Sequence, residues 1–219
     1  MKLFGIVGAG GFGREVAPIA QEMLAMTDNA LSFELVFVVE HGDTDPINGH
    51  RVITADDFLA SRQEKYFNIA VADHLVRERI AKVFIAGMAL PFSIKAANSV
   101  CMCGNEIGVG AILCPFTTIT SNARIGRFFH ANIYSYVAHD CKIGDFVTFA
   151  PNVHCNGGVI IEDYAYIGTG AIIKQGTDAK PMIIGRGAVV GMGAVVTKSV
   201  APFTTVIGNP AASVESKQN

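Results

Sequence analysis

The sequence predicts two structural classes in one chain: an α/β N-terminal half, followed by a β-helix of short parallel strands. Two observations predict this. Strand-like and helix-like segments alternate up to about residue 95, and a six-residue repeat begins at about residue 107. The chain has 219 residues, of which 50 % are hydrophobic and 16 % charged. That length suits one large domain or two small ones, and we expect domains at 1–95 and 96–219.

The N-terminal half predicts a small parallel sheet covered by helices. Apolar runs predict strands at Leu3–Val7, Glu34–Val39 and Asn68–Ala72. We expect helices over Arg14–Met26, which has an apolar stripe at helical spacing, over Asp56–Arg62, and over Leu75–Ala86 with Arg77 on its solvent side. Strand–helix–strand units of this length imply parallel strands joined by right-handed crossovers.

The six-residue repeat is the strongest pattern in the chain. Fifteen hexads share one frame, from IGVGAI at residue 107 to VTKSVA at residue 196, with a five-residue break at 179–183. Such a repeat is the signature of a β-helix in which each hexad forms one side. Three sides make an 18-residue coil with the first residue of each hexad inward, which gives about five coils and a height of roughly 25 Å. Glycine recurs at the second position, where we expect turns that need an unusual φ.

Composition and charge exclude several classes of function. The 17 Lys and Arg residues against 19 Asp and Glu leave a net charge of −2, so no broad basic surface is offered to nucleic acid. The longest strongly apolar run has twelve residues, 83–94, which is short of the ~20 that span a membrane. No signal-peptide pattern opens the chain, and the five cysteines suit reduced thiols. We therefore expect a cytoplasmic protein.

Glycines 8, 10, 11 and 13 lie between the first predicted strand and the first helix. In that position a glycine pattern can present backbone N–H groups to an anionic diphosphate. A tight strand-to-helix turn without a ligand is the alternative. The acidic candidate, Glu40, lies farther beyond Gly13 than the ~20 residues at which a dinucleotide motif places its acidic residue. A substrate other than a dinucleotide is therefore favoured.

The hexads, together with Gly208-Asn-Pro-Ala211, resemble the hexapeptide acyltransferases. The loop GAGGFGRE at 8–15 and the segment AHDCKIG at 138–144 are similar to the subgroup of sialic acid O-acetyltransferases and bacillosamine-pathway N-acetyltransferases. This resemblance implies a Rossmann-like domain joined to a left-handed parallel β-helix, in a homotrimer. It also implies acetyl transfer from acetyl-CoA, without a metal, to the 4-amino group of a nucleotide-linked amino-deoxy sugar for surface polysaccharide. UDP is the expected nucleotide, with dTDP and GDP open.

The resemblance also assigns roles to individual residues. His139 corresponds to the general base, Asp140 to the acidic neighbour that orients it, and Gly157 to a backbone donor for the oxyanion. Coil arithmetic supports the last role independently, because Gly157 follows His139 by one 18-residue coil. From the residues alone, a solvated histidine is the alternative for His139. We expect His139 in the middle of a side, and His130 and His154 at corners.

Substrate contacts are expected in both halves of the chain. For the nucleotide sugar they are Gly8, Gly10, Gly11, Gly13, Glu40 and His74. For acetyl-CoA they are Gly158, Lys174, Arg186, Lys198, Gly208, Asn209 and Pro210, although each cation could equally be a solubilising charge. The trimer expectation rests on five aromatics placed on the outer faces: Phe128, Phe129, Tyr134, Tyr136 and Phe149.

Two other functions remain open at this point. An O-acetyltransferase acting on sialic acid or a related sugar would use the same fold and base with a hydroxyl acceptor. A metalloenzyme of the γ-carbonic anhydrase kind would need three histidines around zinc. In the series His130, His139 and His154 the second gap is less than twice the first, which does not resemble the one-long, one-short spacing of that family.

Overall fold

A computed structural model describes residues 1–27, 33–177 and 179–214. The chain forms two compact units. The first comprises Met1–Ala97 with Val109–Ile112, and the second comprises Asn98–Gly108 with Leu113–Asn219. No helix in the described ranges is both long and apolar enough to span a membrane.

The first unit is a parallel sheet with helices. Its strands are β1 Lys2–Val7, β2 Phe33–Val39, β3 Val52–Thr54, β4 Lys65–Ile69, β5 Leu90–Pro91 and β6 Ile94–Lys95, and its helices are α1 Gly11–Thr27, α2 Ala55–Ala60 and α3 His74–Ala86. The sheet has the order β3-β2-β1-β4-β5, with every pair parallel. The central strand β1 is buried from Leu3 to Val7, because it has a neighbour on each side and helices on the sheet.

The third predicted strand is misplaced. Strand β4 covers Lys65–Ile69 rather than Asn68–Ala72, and it pairs with β1 from Leu3↔Lys65 to Val7↔Ile69. The residues after it form the turn into α3, where Asp73 caps the helix by accepting hydrogen bonds from the N–H groups of Leu75 and Val76. The apolar run therefore continues past the strand into a turn.

Arg77 was expected on the solvent side of α3, and that expectation is wrong. Its side chain is fully buried, and Nη1 donates to the carbonyl oxygens of Val71, at 3.0 Å, and Ala72, at 3.4 Å. Burial lowers the pKa of Arg77 to about 9. The turn after β4 supplies carbonyl partners that helical periodicity does not reveal.

The second unit is built from short strands separated by turns. They are β7 Val100–Cys101, β8 Glu106–Ile107, β9 Ile112–Leu113, β10 Thr118–Ile119, β11 Arg124–Ile125, β12 His130–Ala131, β13 Tyr136–Val137, β14 Lys142–Ile143, β15 Thr148–Phe149, β16 His154–Cys155, β17 Val159–Ile161, β18 Tyr166–Ile167, β19 Ile172–Ile173, β20 Met182–Ile184, β21 Val189–Val190, β22 Val195–Val196, β23 Thr205–Ile207 and β24 Ala212–Ser213.

From β7 to β22 every third strand pairs in parallel, so these strands form a parallel β-helix. We call β22-β19-β16-β13-β10-β7 the first coil sheet and β20-β17-β14-β11-β8 the second coil sheet. Within the second unit, we call β24-β23-β21-β18-β15-β12-β9 the third coil sheet. Partners such as Arg124↔Lys142 lie one 18-residue coil apart. The offset is longer at Tyr166↔Val189, because the segment after β19 adds the five-residue break to its coil.

The prediction that hexad-first residues face inward is confirmed. Each of them from Leu113 to Val196 is buried, and Ile107 is half-buried against the same core. Cys155 is fully buried in this core, and the partly buried Cys101 packs against it. These side chains form the interior of the coil and explain the high hydrophobic content of the sequence.

The reason expected for the second-position glycines is wrong. Left-handed φ values occur at the fourth hexad position instead, as at Phe116 (61°), Asn122 (61°) and Asp140 (59°). The second-position glycines are required by the close approach of neighbouring coils. A Cβ at Gly126 would lie 2.5 Å from Asp145 Oδ1, and one at Gly108 would lie 2.6 Å from the carbonyl carbon of Gly126.

Three of the five aromatics expected outside are inside. Phe129 and Phe149 are fully buried in the core, and Phe128 is buried in a turn with its ring stacked on Phe146 at 5.3 Å. Tyr134 is 56 % exposed and Tyr136 is half-buried. The hexad frame explains Phe149, because that residue occupies an inward first position.

Candidate active site

The turns that join the first coil sheet to the second form one edge, which we call the His139 edge. Its successive turns contain residues 103–104, 121–122, 139–140 and 157–158. His139 lies in the turn between β13 and β14, so the expectation that it occupies the middle of a side is wrong. Strands occupy the sixth and first hexad positions, which leaves the third and fourth for turns.

Asp140 holds the imidazole of His139. Nδ1 of His139 lies 2.8 Å from Asp140 Oδ2, and the two side chains are 68 % and 53 % exposed. The hydrogen bond from His139, aided by one from Asn122, lowers the pKa of Asp140. An ionised carboxylate at Nδ1 favours the tautomer that carries the proton there, which leaves Nε2 as an acceptor. Nε2 can therefore take a proton from a substrate.

Gly157 lies beside the imidazole of His139, at the side of the ring that carries Nε2. A Cβ at this position would lie 2.5 Å from both Nε2 and Cε1 of His139, so glycine is needed for the imidazole to sit here. Among the described residues, the N–H of Gly157 donates no hydrogen bond. It can therefore meet a negative oxygen that develops beside Nε2.

Gly158 differs from its neighbour. Its N–H donates to the carbonyl oxygen of His139 at 2.9 Å. This amide is therefore used in a hydrogen bond between neighbouring coils. Of these two neighbouring glycines, only Gly157 has a backbone N–H to offer beside the base.

His130 and His154 lie in strands, so the expectation that they occupy corners is wrong. His130 is in β12 and fully buried. His154 is in β16, with Nε2 3.1 Å from Asn152 Oδ1. Neither contributes to the His139 edge. In the part of the chain that the structure describes, no three His, Cys, Asp or Glu side chains cluster as metal ligands.

A cleft of about 610 Å³ lies farther along the His139 edge, toward the C-terminus. Gln175 in its lining follows Gly157 by one full coil. We call it the lysine cleft, because its lining contains Lys174, Lys180 and Lys198. The structure thus brings together two of the three predicted cations and adds Lys180. Sequence reasoning missed Lys180 because it lies in the segment that interrupts the hexads.

Arg186 is not brought to this cleft. It lies in the turn after β20, where Nη1 is 3.1 Å from Asp163 Oδ2 and the guanidinium is 4.6 Å from the ring centre of Tyr164. That turn joins the second coil sheet to the third, so Arg186 lies on a different edge of the coil.

The segment of Gly208, Asn209 and Pro210 follows β23 and is exposed. The carbonyl oxygen of Gly208 accepts the N–H of Val195 at 3.0 Å, and Ala211 donates to the carbonyl oxygen of Val195 at 2.9 Å. The segment therefore runs beside β22, and residues 197–199, which follow β22, line the lysine cleft.

The glycine loop of the first unit has two kinds of glycine. Gly8 has a φ of 105°, and a Cβ on Gly13 would overlap the carbonyl oxygen of Gly8, so both are needed to pack α1 against β1. A Cβ on Gly10 or Gly11 would have no other atom within 4 Å. These two open positions begin α1, where helix N–H groups favour an anion.

Glu40 and His74 follow other strands of the same sheet. Glu40 directly follows β2 and forms an ion pair with Arg79 on α3 at 2.6 Å. The hydrogen bond from Arg79 lowers the pKa of Glu40. His74 is the first residue of α3, and partial burial lowers the pKa of its imidazole. The carboxyl ends of parallel strands share one edge, where α/β sheets bind ligands.

Comparisons with known proteins find one matching family model and several similar chains. Residues 4–84 match the family model of the PglD N-terminal domain. The chain is 51 % identical over 212 residues to GDP-perosamine N-acetyltransferase of Escherichia coli O157:H7, covering 96 % of each chain. WeeI from Acinetobacter baumannii AYE is 47 % identical with a TM-score of 0.93, covering 98 % of this chain and 100 % of WeeI.

A structure with a bound thioester is also similar. The acetyltransferase domain of PglB from Neisseria gonorrhoeae FA1090, in complex with acetyl coenzyme A, is 26 % identical with a TM-score of 0.85. The match covers 97 % of this chain and 99 % of that domain.

Proposed function

This chain belongs to the family of nucleotide-sugar N-acetyltransferases, and we propose that it acetylates the 4-amino group of a GDP-linked amino-deoxy sugar of the perosamine type, using acetyl-CoA. The observation that carries the proposal is the 51 % identity, over 96 % of both chains, with a GDP-perosamine N-acetyltransferase. The resemblance found in the sequence implies UDP, and this relative is the reason for proposing GDP instead. The N-acetyltransferase activity of that relative also favours an amine acceptor over a hydroxyl.

In the proposed mechanism the amine attacks the thioester directly. Nε2 of His139 takes a proton from the amine as the C–N bond forms, and the N–H of Gly157 donates to the oxyanion of the tetrahedral intermediate. When the C–S bond breaks, the proton on His139 can pass to the departing thiolate. Support comes from the 2.8 Å contact of His139 with Asp140 and from the open space that Gly157 leaves at Nε2.

Acetyl-CoA is proposed to lie along the His139 edge, with its acetyl group at His139 and its phosphates at the lysine cleft. Three lysines around a cleft of about 610 Å³ suit an anionic group, since each ammonium can donate to phosphate oxygens. The cleft begins one coil beyond Gly157, roughly 5 Å along the edge. We propose that Gly208, Asn209 and Pro210 cover the pantetheine arm, and that Gly158 only shapes the turn.

The nucleotide sugar is proposed to bind at the carboxyl edge of the sheet in the first unit. Gly10 and Gly11 are open to a diphosphate, while Gly8 and Gly13 shape the loop. Glu40 and His74 are proposed contacts to the nucleoside. For the second unit we propose a left-handed coil and a homotrimer, as in the hexapeptide acyltransferases.

A substrate panel tests the function. The protein would be incubated with acetyl-CoA and GDP-, UDP- or dTDP-linked 4-amino sugars, with CoA-thiol release followed and the products weighed by mass spectrometry. The highest kcat/KM is expected with GDP-perosamine, giving a product that resists hydroxylamine, as an amide does and an ester does not. A UDP sugar with the higher kcat/KM would overturn the GDP assignment. A hydroxylamine-labile product would indicate O-acetylation.

A further inference from the structure

Asn122 lies directly before the His139–Asp140 turn in the stack of coils. It precedes Asp140 by one full coil. Asn122 Nδ2 lies 3.4 Å from Asp140 Oδ1 and donates to it. A backbone hydrogen bond also joins the two coils at this edge, because the N–H of Asp140 donates to the carbonyl oxygen of Ser121 at 3.0 Å. The two side chains therefore hold a fixed order along the edge.

The carboxylate of Asp140 is contacted at both oxygens. Oδ2 faces His139 Nδ1 at 2.8 Å, while Oδ1 faces the amide of Asn122. With one donor at each oxygen, rotation about the Cβ–Cγ bond of Asp140 costs a hydrogen bond at either end. Both partners also favour the ionised carboxylate, which lowers the pKa of Asp140.

Backbone shape alone does not require asparagine at residue 122. Its φ of 61° is left-handed, a region that Gly, Asn and Asp all adopt readily. Space for its amide is provided by Gly104, where a Cβ would lie 2.5 Å from Asn122 Oδ1. Among the three residues that suit the turn, only asparagine has a side-chain N–H to donate to a carboxylate.

We propose that Asn122 is a positioning residue for the acetyl-transfer reaction, holding the Asp140 carboxylate in the orientation that aligns His139. This inference rests on the proposed function of His139. Asn122 contacts no substrate in this scheme, and it acts only through Asp140.

Two substitutions separate this role from a structural one. Asn122→Gly removes the amide, and Asn122→Asp keeps its shape but puts a second carboxylate against Asp140. Both suit the left-handed turn. We expect kcat to fall roughly three- to tenfold for Asn122→Gly, and further for Asn122→Asp, with both KM values little changed. If asparagine served only the turn, Asn122→Asp would keep the wild-type kcat, and that result would overturn the proposal.

Asn152 offers a matched control. It occupies the same hexad position with a φ of 60° on a different edge, and its Oδ1 faces His154. Asn152→Gly and Asn152→Asp should show any general cost of altering such a turn in thermal melting. Because Asn152 follows the exposed Tyr134 by one full coil, the mass of each variant is checked by light scattering, and kcat should stay at the wild-type level when that mass is unchanged. An equal loss of kcat in the Asn152 pair would count against a specific role for Asn122.

A double-mutant cycle tests the route through Asp140. In an Asp140→Gly background, which suits the φ of 59° at this position, Asn122→Gly should lower kcat no further, because the group it positions is gone. A full additional loss would overturn the proposal. His139→Ala is measured alongside. If that variant keeps the wild-type kcat, the proposed function of His139 fails; if it is inactive while Asn122→Asp matches wild type, only the role of Asn122 fails.

Discussion

A single imidazole ring is held from two directions by neighbours in consecutive coils. Asp140 contacts Nδ1 at 2.8 Å. On the opposite side of the ring, the absence of a side chain at Gly157 leaves space beside Nε2 and Cε1. Asp140 comes from the same turn as the ring, whereas Gly157 comes from the corresponding turn of the next coil. The geometry of His139 therefore depends on the register of the coil as well as on its own turn.

Replacing His139 with alanine should remove the base and leave the fold intact, because the side chain is exposed. We expect kcat to fall ~10²–10⁴-fold, the usual cost of losing a positioned base. Steady-state kinetics measure this, with acetyl-CoA binding checked by calorimetry. His154→Ala is the matched control, since that ring contacts Asn152 and lies in a strand, and it should keep most activity. A His139→Ala enzyme with more than about a tenth of the wild-type kcat contradicts the mechanism.

Gly157→Ala tests the space beside Nε2. The added methyl would lie 2.5 Å from the ring, so the imidazole must move, and a displacement of ~1 Å at a reacting group can cost ~10²-fold in rate. We expect a loss in kcat of that order with both substrates still bound. In a His139→Ala background the ring is absent, so the same substitution should cost little more. An equal cost in both backgrounds would place the effect elsewhere.

At the scale of the elements, the glycine loop and the first turn of α1 form a surface that the protein itself leaves open. No atom lies within 4 Å of a Cβ built on Gly10, so Gly10→Val should fold normally while blocking an approaching diphosphate. The KM for the nucleotide sugar should rise while the KM for acetyl-CoA changes little. Kinetics with each substrate varied in turn measure this. Equal changes in both, or none, would reject the loop as the diphosphate site.

The lysine cleft leads to a second prediction at this scale, which concerns the binding of acetyl-CoA. Lys180→Glu reverses a charge beside Lys174 and Lys198, and the KM for acetyl-CoA should rise up to about tenfold, the worth of one charged hydrogen bond. The KM for the nucleotide sugar should stay constant. Lys82→Glu on α3, whose side chain is paired with Glu78, controls for the change in net charge. An unchanged acetyl-CoA KM in Lys180→Glu would remove the cleft from the binding site.

The hexad frame predicts the inward residues well because burial repeats strictly with the coil. The same frame does not say where each strand stops. His139 is therefore predicted in the middle of a side but lies in a turn, and His154 is predicted at a corner but lies in a strand. The one-coil offset that links His139 to Gly157 equally links Asp140 to Asn122. Lys180 and the burial of Arg77 follow no repeat, because both depend on segments whose backbone path the sequence pattern leaves open.

For the whole molecule, four exposed large apolar side chains of the second unit lie along one further edge of the coil. This edge, formed by the turns from the third to the first coil sheet, exposes Phe116 (53 %), Ile133 (40 %), Tyr134 (56 %) and Met192 (81 %). The rings of Phe116 and Tyr134 stack at 5.0 Å. An exposed apolar strip of this kind is typical of a subunit interface, which supports the proposed trimer even though Phe128, Phe129 and Phe149 are buried.

Light scattering tests that assembly. Three chains of 23.2 kDa each should give a mass of about 70 kDa at micromolar concentration. Phe116→Asp combined with Tyr134→Asp should shift the mass to that of one chain, because aspartate suits the left-handed φ of both positions but places charge on the apolar edge. Phe203→Asp is the matched control, since Phe203 is 75 % exposed with a φ of 56° on a different edge, and it should stay trimeric. A wild-type monomer would reject the trimer, and a double variant that stays trimeric would place the interface on another surface.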